Sequence, residues 1–175
     1  MERVLLDEVI ETDYGQFDLL WGDGYGFDGD FDRVFAGQVN GLAGAGSGQG
    51  LYLNLARRSG GSPVRIVLLE DTPAASATDG WEDIVEVAIT IPHDAEPTWC
   101  TWAGQKSGPL DIPPGSYRVR VSARGREAGA AGEFADGPVD FYLLEMWPAP
   151  PQPDSIIRST SANAEYWHHE VGNRQ

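Results

Sequence analysis

The sequence predicts an all-β protein, an antiparallel β-sandwich or open barrel of about seven to nine strands, and three observations carry that prediction. Short segments rich in β-branched and aromatic residues recur along the 175-residue chain. Several alternate apolar and polar side chains with period two, the pattern of a strand with one face in a core and one in water. Gly, Pro, Asp and Ser bound nearly all of them, while helix signals are scarce.

Taken in order, the predicted strands are Val4 to Ile10, Gln16 to Leu20, Gly50 to Leu55, Val64 to Leu69, Ile84 to Ile91, Tyr117 to Ala123 and Val139 to Met146. Within Ser116 to Ser122 the tyrosine and two valines share one face, and Arg118 and Arg120 the other. Leu51, Leu53 and Leu55 alternate in the same way with Tyr52 and Asn54. The connections read as turns and loops: glycine-rich Gly41 to Gly50, a hairpin link Arg58 to Pro63, and the tight turn Pro113-Pro114-Gly115. Arg124 to Pro138 reads as a long mobile loop. Residues 1–147 form the expected domain; 148–175 are a stiff Pro-rich linker, Pro148 to Pro153, and a polar tail laid against the domain through Ile156, Ile157, Tyr166 and Trp167.

A chain of 19.0 kDa is one ordinary domain, able to bury about two thirds of its unfolded surface. The single cysteine, Cys100, cannot form an internal disulfide, and no apolar run approaches signal-peptide or membrane-spanning length. A soluble cytoplasmic protein is expected.

Charge is the least ordinary feature. The net charge is −15, and residues 1–32 hold ten acids against one base, a net of −9. Such a field repels nucleic acid and anionic membranes, and it raises the encounter rate with a basic protein; solubility is the plain alternative. The stretch 21–35, WGDGYGFDGDFDRVF, concentrates it. Asp28-x-Asp30-x-Asp32 opens like a calcium loop, but the glycine and glutamate that an EF-hand needs at its sixth and twelfth positions are Arg33 and Val39. A solvated acidic recognition loop fits better, and no metal or cofactor is expected.

Catalytic motifs are few. The glycines of 41–50 lack the lysine and helix start of a phosphate loop, and neither G-x-S-x-G nor H-E-x-x-H occurs. The tail pair His168-His169 reads as incidental, and Cys100, between Trp99 and Trp102, as a small buried hydrophobe. Glu82 and Glu86 share a strand face with Ile84 and Ala88, which leaves open a carboxylate pair for glycoside cleavage or, more simply, charges that guard an edge strand.

Several short motifs occur in one order: Tyr14-x-Gln16-Phe17, Trp21, Ala36-Gly37-Gln38-Val39-Asn40-Gly41-Leu42, Leu110-x-Ile112-Pro113-Pro114-Gly115-x-Tyr117-Arg118 and Asp140-x-Tyr142. Together, over about residues 12–148, they resemble the competence protein J family of small bacterial proteins, which includes an intracellular inhibitor of a DNA-entry nuclease. The chain departs from that pattern in Arg124 to Pro138, in Asp23 to Asp32 and in its tail. The resemblance implies a non-enzymatic inhibitor or immunity-like partner of a basic protein such as a nuclease.

The expected partner-binding surface is therefore Trp21, Asp23, Tyr25, Phe27, Asp28, Asp30 and Asp32, with the carboxylates standing where phosphates would lie and the aromatics forming an apolar centre. The alternative is a carbohydrate or small-ligand binding β-sandwich with a concave face lined by Trp81, Trp99 or Trp102. A third reading is an interaction module with no pocket.

Overall fold

The alternation in the sequence resolves into two sheets that share one core. The computed structural model describes every residue except Asp23 and Tyr25. Its strands are β1 (Glu2–Thr12), β2 (Gln16–Leu20), β3 (Ala43–Gly44), β4 (Gly50–Asn54), β5 (Gly60–Leu69), β6 (Asp83–Ile91), β7 (Thr98–Thr101), β8 (Ser107–Pro109), β9 (Gly115–Arg124), β10 (Phe141–Pro148) and β11 (Ser155–Ser159). Three α-helices accompany them, α1 (Phe31–Val34), α2 (Arg126–Ala131) and α3 (Ala162–Glu170).

The larger sheet has the order β1-β5-β10-β9-β6-β11 and the smaller β3-β4-β2-β7-β8, so each keeps two edges and no barrel closes. Pairing is antiparallel except between β5 and β10, which run parallel. Leu6, Ile66, Val87, Val119 and Leu144 of the larger sheet meet Phe17, Leu19, Leu51 and Leu53 of the smaller in one hydrophobic cluster. Burying these faces is the main driving force for the fold.

All seven predicted strands are present. Those that sequence reading missed are short or lack a pattern: β3 has two residues, β8 three, β7 carries Trp99-Cys100, and β11 follows a proline run. The outward residues of β9 behave differently from ordinary solvent-facing ones. Arg118 and Arg120 are buried, donating to Glu86 Oε2 at 3.1 Å and to Glu86 Oε1 at 3.0 Å. β6 lies between β9 and β11, so Glu86 guards no edge, and Glu82 accepts from Gly125 N at 3.1 Å instead of facing Glu86 across a groove.

The segment expected to be a mobile loop contains α2, and Arg126 is the largest of the fully buried side chains. Its Nη1 donates to Asn54 O at 2.7 Å and its Nε to Asn163 Oδ1 at 3.0 Å, which ties α2 to β4 and α3. Beyond the prolines, β11 pairs with β6 and α3 docks on the domain. Of the contacts expected, Trp167 packs against both apolar clusters, whereas Ile156, Ile157 and Tyr166 are exposed. Asp154 instead accepts from Asn40 N at 2.8 Å, Asp83 accepts from Ser161 Oγ at 2.6 Å, and Gly41 N donates to His168 Nδ1 at 3.0 Å.

At Gly41 the chain passes close against α3. A Cβ there would lie 2.0 Å from Trp167 O and 2.9 Å from Val171 Cγ2. Gly41→Ala is therefore expected to destabilise the protein by about 1–3 kcal/mol, read as a lower urea midpoint together with earlier proteolysis within α3. An unchanged midpoint would show that α3 is not held there.

Candidate functional site

Period two sends Gln16 and Asp18 of β2, and Tyr52 and Asn54 of β4, to the side of the smaller sheet that faces away from the main core; Gln16 pairs with Asn54 across the strands, and Asp18 with Tyr52. All four are nevertheless buried. They are roofed by the segment 26–35 and by α3, through a second apolar cluster of Val34, Phe35, Tyr52 and Val171 with Phe27, Phe31 and Trp167 packed on it.

Beside this roof opens a cleft of about 700 Å³ whose aromatic lining is Tyr14, Phe27, Phe31, Tyr52, Trp102 and Trp167. The rings are ordered against one another: Phe27 stacks on Tyr52 with centroids 4.1 Å apart, Phe31 meets Trp167 at 6.2 Å, and Tyr14 meets Trp102 at 5.2 Å. Polar groups between them include Gln16, Asn54, Asp28 and Arg58. An apolar cleft with a few convergent polar groups is the general form of a ligand site.

Local sequence explains each wall. Thr12 Oγ1 donates to Gln16 O at 2.6 Å and accepts from Trp102 N at 3.1 Å, which fixes the turn bearing Tyr14 against the turn bearing Trp102. Gly15 is required in that turn, since a Cβ would lie 2.3 Å from Leu55 O. Tyr14 has φ +58° and Ala103, next to Trp102, has φ +55°; they are two of the three non-glycine residues with positive φ among the described residues. Left-handed backbone costs a non-glycine residue about 1–3 kcal/mol and gathers at functional sites.

The floor is equally constrained. Asp18 is 3% exposed, and its carboxylate accepts from Gln16 Nε2 at 2.8 Å and from Phe27 N at 3.1 Å, so it sets the position of Phe27. Burial raises its pKa against those two hydrogen bonds. A Cβ on Gly26 would come within 2.4 Å of Asp18 Oδ2, so glycine lets the roof pass over the acid. Cys100, opposite Asp18 on β7, is buried; desolvation, with Asp18 adding, pushes its thiol up to about 11, the wrong direction for a nucleophile.

The residues expected to form an acidic partner surface are not brought together as one. Trp21 is a core residue, 6% exposed, with Nε1 donating to Gly48 O at 3.1 Å, so it cannot serve as a surface anchor. Asp23 and Tyr25 lie outside the described residues. Phe27 belongs to the cleft. Asp28 accepts from Asp30 N at 3.1 Å and Arg33 Nη2 at 3.2 Å, and these bonds hold its carboxyl below the usual range. Asp30 caps α1 by accepting from Arg33 N at 3.0 Å, and Asp32 pairs with Arg174 at 2.8 Å. Among the described residues no group of three or more His, Cys, Asp or Glu could hold a metal ion.

Nor do the three tryptophans of the ligand-binding alternative share a face. Trp99 is buried in the main cluster, Trp81 lies 5.3 Å under the Arg124 guanidinium, and Trp102 alone reaches the cleft. Sequence reading missed Tyr14, Gln16, Tyr52, Asn54, Arg58 and Trp167 as site residues. One signal was present: Tyr52 is an aromatic on the strand face opposite the Leu51, Leu53, Leu55 stripe.

No family model matches the chain, and no curated protein matches it. A solved structure named "Crocagin biosynthetic gene J" is similar, with a TM-score of 0.57 and 17% identity over 86% of this chain and 99% of that one. At that identity the likeness is one of fold.

The α3 wall carries a titratable lock. His168 Nδ1 accepts from Gly41 N, so the ring is neutral; burial first, then Arg126, lower its pKa against the pull of Asp83, Glu165 and Asp154. With the folded pKa below the unfolded one, the unfolded chain binds the proton first. Stability is therefore full above about pH 6.5 and falls as pH drops below it, by about 1.4 kcal/mol for each unit of lowering. Urea midpoints between about pH 7 and pH 5 are expected to fall more steeply for the wild type than for His168→Gln; parallel slopes would remove His168 from this role.

Proposed function

We propose that this chain is a β-sandwich binding module whose site is the aromatic cleft, and that it takes a planar, ring-bearing small molecule or side chain. The observation that carries the reading is the cleft itself, about 700 Å³ with six aromatic side chains on its walls. Left-handed backbone occurs at Tyr14, which lines it, and at Ala103, next to the lining residue Trp102. The structural neighbour is named for a biosynthetic gene, and by analogy of fold a small-molecule cleft suits that setting.

A second reading keeps the basic protein partner implied by the competence protein J resemblance. It is favoured by the exposed Asp28, Asp30 and Asp32 near the cleft mouth and by the net charge of −15. In that case a basic nuclease would bind with strong salt dependence, and the Asp28→Asn, Asp32→Asn double variant would weaken it; salt-independent binding, or none, would remove the reading.

The cleft is tested by screening aromatic fragments against isotope-labelled protein. Bound fragments are expected to shift the indole Nε1 signals of Trp102 and Trp167 and the amide of Gly29. Trp102→Ala is expected to weaken the best fragment about tenfold, since an aromatic contact contributes about 0.5–1.5 kcal/mol beyond its buried area. Shifts clustered elsewhere, or no binding, would overturn it.

A further inference from the structure

The cleft offers hydrogen-bond donors while its carboxylate is already engaged. Asp28, the acid among its lining residues, receives Asp30 N and Arg33. Asn54, 4% exposed, also lines the cleft, but its Nδ2 is shielded within the wall. Arg58 is exposed at the rim and rests its guanidinium 5.1 Å from the Tyr14 ring centroid. Among the described residues it makes no side-chain hydrogen bond and no ion pair, although acids outnumber bases by 27 to 12 in this chain. Behind the wall, Arg126 bonds Asn54 O, and among the described residues it has no carboxylate partner and its Nη2 is unpaired. Arg58 at the rim and Arg126 behind the wall thus place two guanidinium charges at this end of an otherwise acidic molecule.

Resting on the binding reading above, we infer that the ligand is a planar aromatic monoanion, with its ring against Tyr52, Phe27 and Trp102 and its carboxylate on Arg58. A guanidinium presents parallel N–H groups that match a carboxylate. A single negative charge balances the single exposed guanidinium, whereas a dianionic phosphate meets more repulsion from Asp28, Asp18 and the overall charge. The same chemistry is presented by a free aromatic acid and by the C-terminal aromatic residue of a peptide.

The experiment is calorimetric titration of the full chain with indole-3-carboxylate and with its neutral carboxamide, then with Gly-Gly-Trp bearing a free or an amidated C-terminus. The acid is expected to bind about tenfold more tightly than its amide, and Arg58→Gln, at an unchanged thermal midpoint, is expected to abolish the difference. A preference seen with the free acid alone assigns a small molecule, and one seen with the tripeptide assigns a peptide end. Equal binding of acid and amide overturns the carboxylate and leaves the cleft standing, as does an acid preference that survives Arg58→Gln. No binding by any of the four probes overturns both.

Discussion

A guanidinium cannot be taken out of water unless acceptors are brought to it, and in this protein that requirement falls on Arg126. It is 1% exposed, and its acceptors are a main-chain carbonyl of β4 and the Asn163 amide of α3. Neither acceptor is local in sequence, so the arginine gains both of them only when sheet and both helices are already together. The same logic recurs around it. Asp140 accepts from Tyr142 at 2.7 Å, from Ser62 at 2.6 Å and from Arg57 N at 3.2 Å, and Tyr142 accepts from Ala56 N at 2.6 Å. Gln38 bonds Ala43 and Ala45, and Asn40 bonds Leu42 and Ala43, giving the irregular run before β4 the partners that a ladder would otherwise supply. Cross-links between segments distant in sequence, more than local propensity, hold the roof over the smaller sheet.

Charge illustrates how composition and site can differ in sign. The acidic loop is rich in carboxylates, yet Asp28, Asp30 and Asp32 are each paired with an arginine side chain, the first two with Arg33 and the third with Arg174. Arg33 is local, but Arg174 comes from the far end of the chain and reaches Asp32 only once α3 has docked. Exposed pairs of this kind contribute little to stability. What they do is dampen the local field, so the surface potential is decided by the charges without an opposite partner, and among the described residues Arg58 and Arg126 have no carboxylate partner. A net charge cannot report that.

How much could be read beforehand follows from the range of the forces involved. Strands such as β9 and β4 were legible because alternation is a local signal that survives any tertiary context. The β5–β10 parallel pair was not, since nothing local distinguishes the direction of a neighbouring strand. Asp140-x-Tyr142 and Gln38-x-Asn40 stood out as motifs, and in the structure they are the polar cross-links of irregular backbone. Trp21 misled because an aromatic beside glycines and acids looks like a surface anchor, while its ring lies in the core and its Nε1 meets the carbonyl of the loop residue Gly48. The cleft was hidden for a geometric reason: Tyr14, Tyr52, Trp102 and Trp167 come from four separate segments, and no window of sequence contains them.

The placement of Trp167 has a consequence for how the protein comes into being. During synthesis, Tyr14, Tyr52 and Trp102 emerge from the ribosome long before α3, so the strands can pair while the cleft still lacks a wall and Arg126 lacks an acceptor. A stalled or clipped chain would therefore present an open apolar trough to chaperones, not a weakened version of the finished site. The last wall of the cleft arrives late and all at once, with the docking of a single helix.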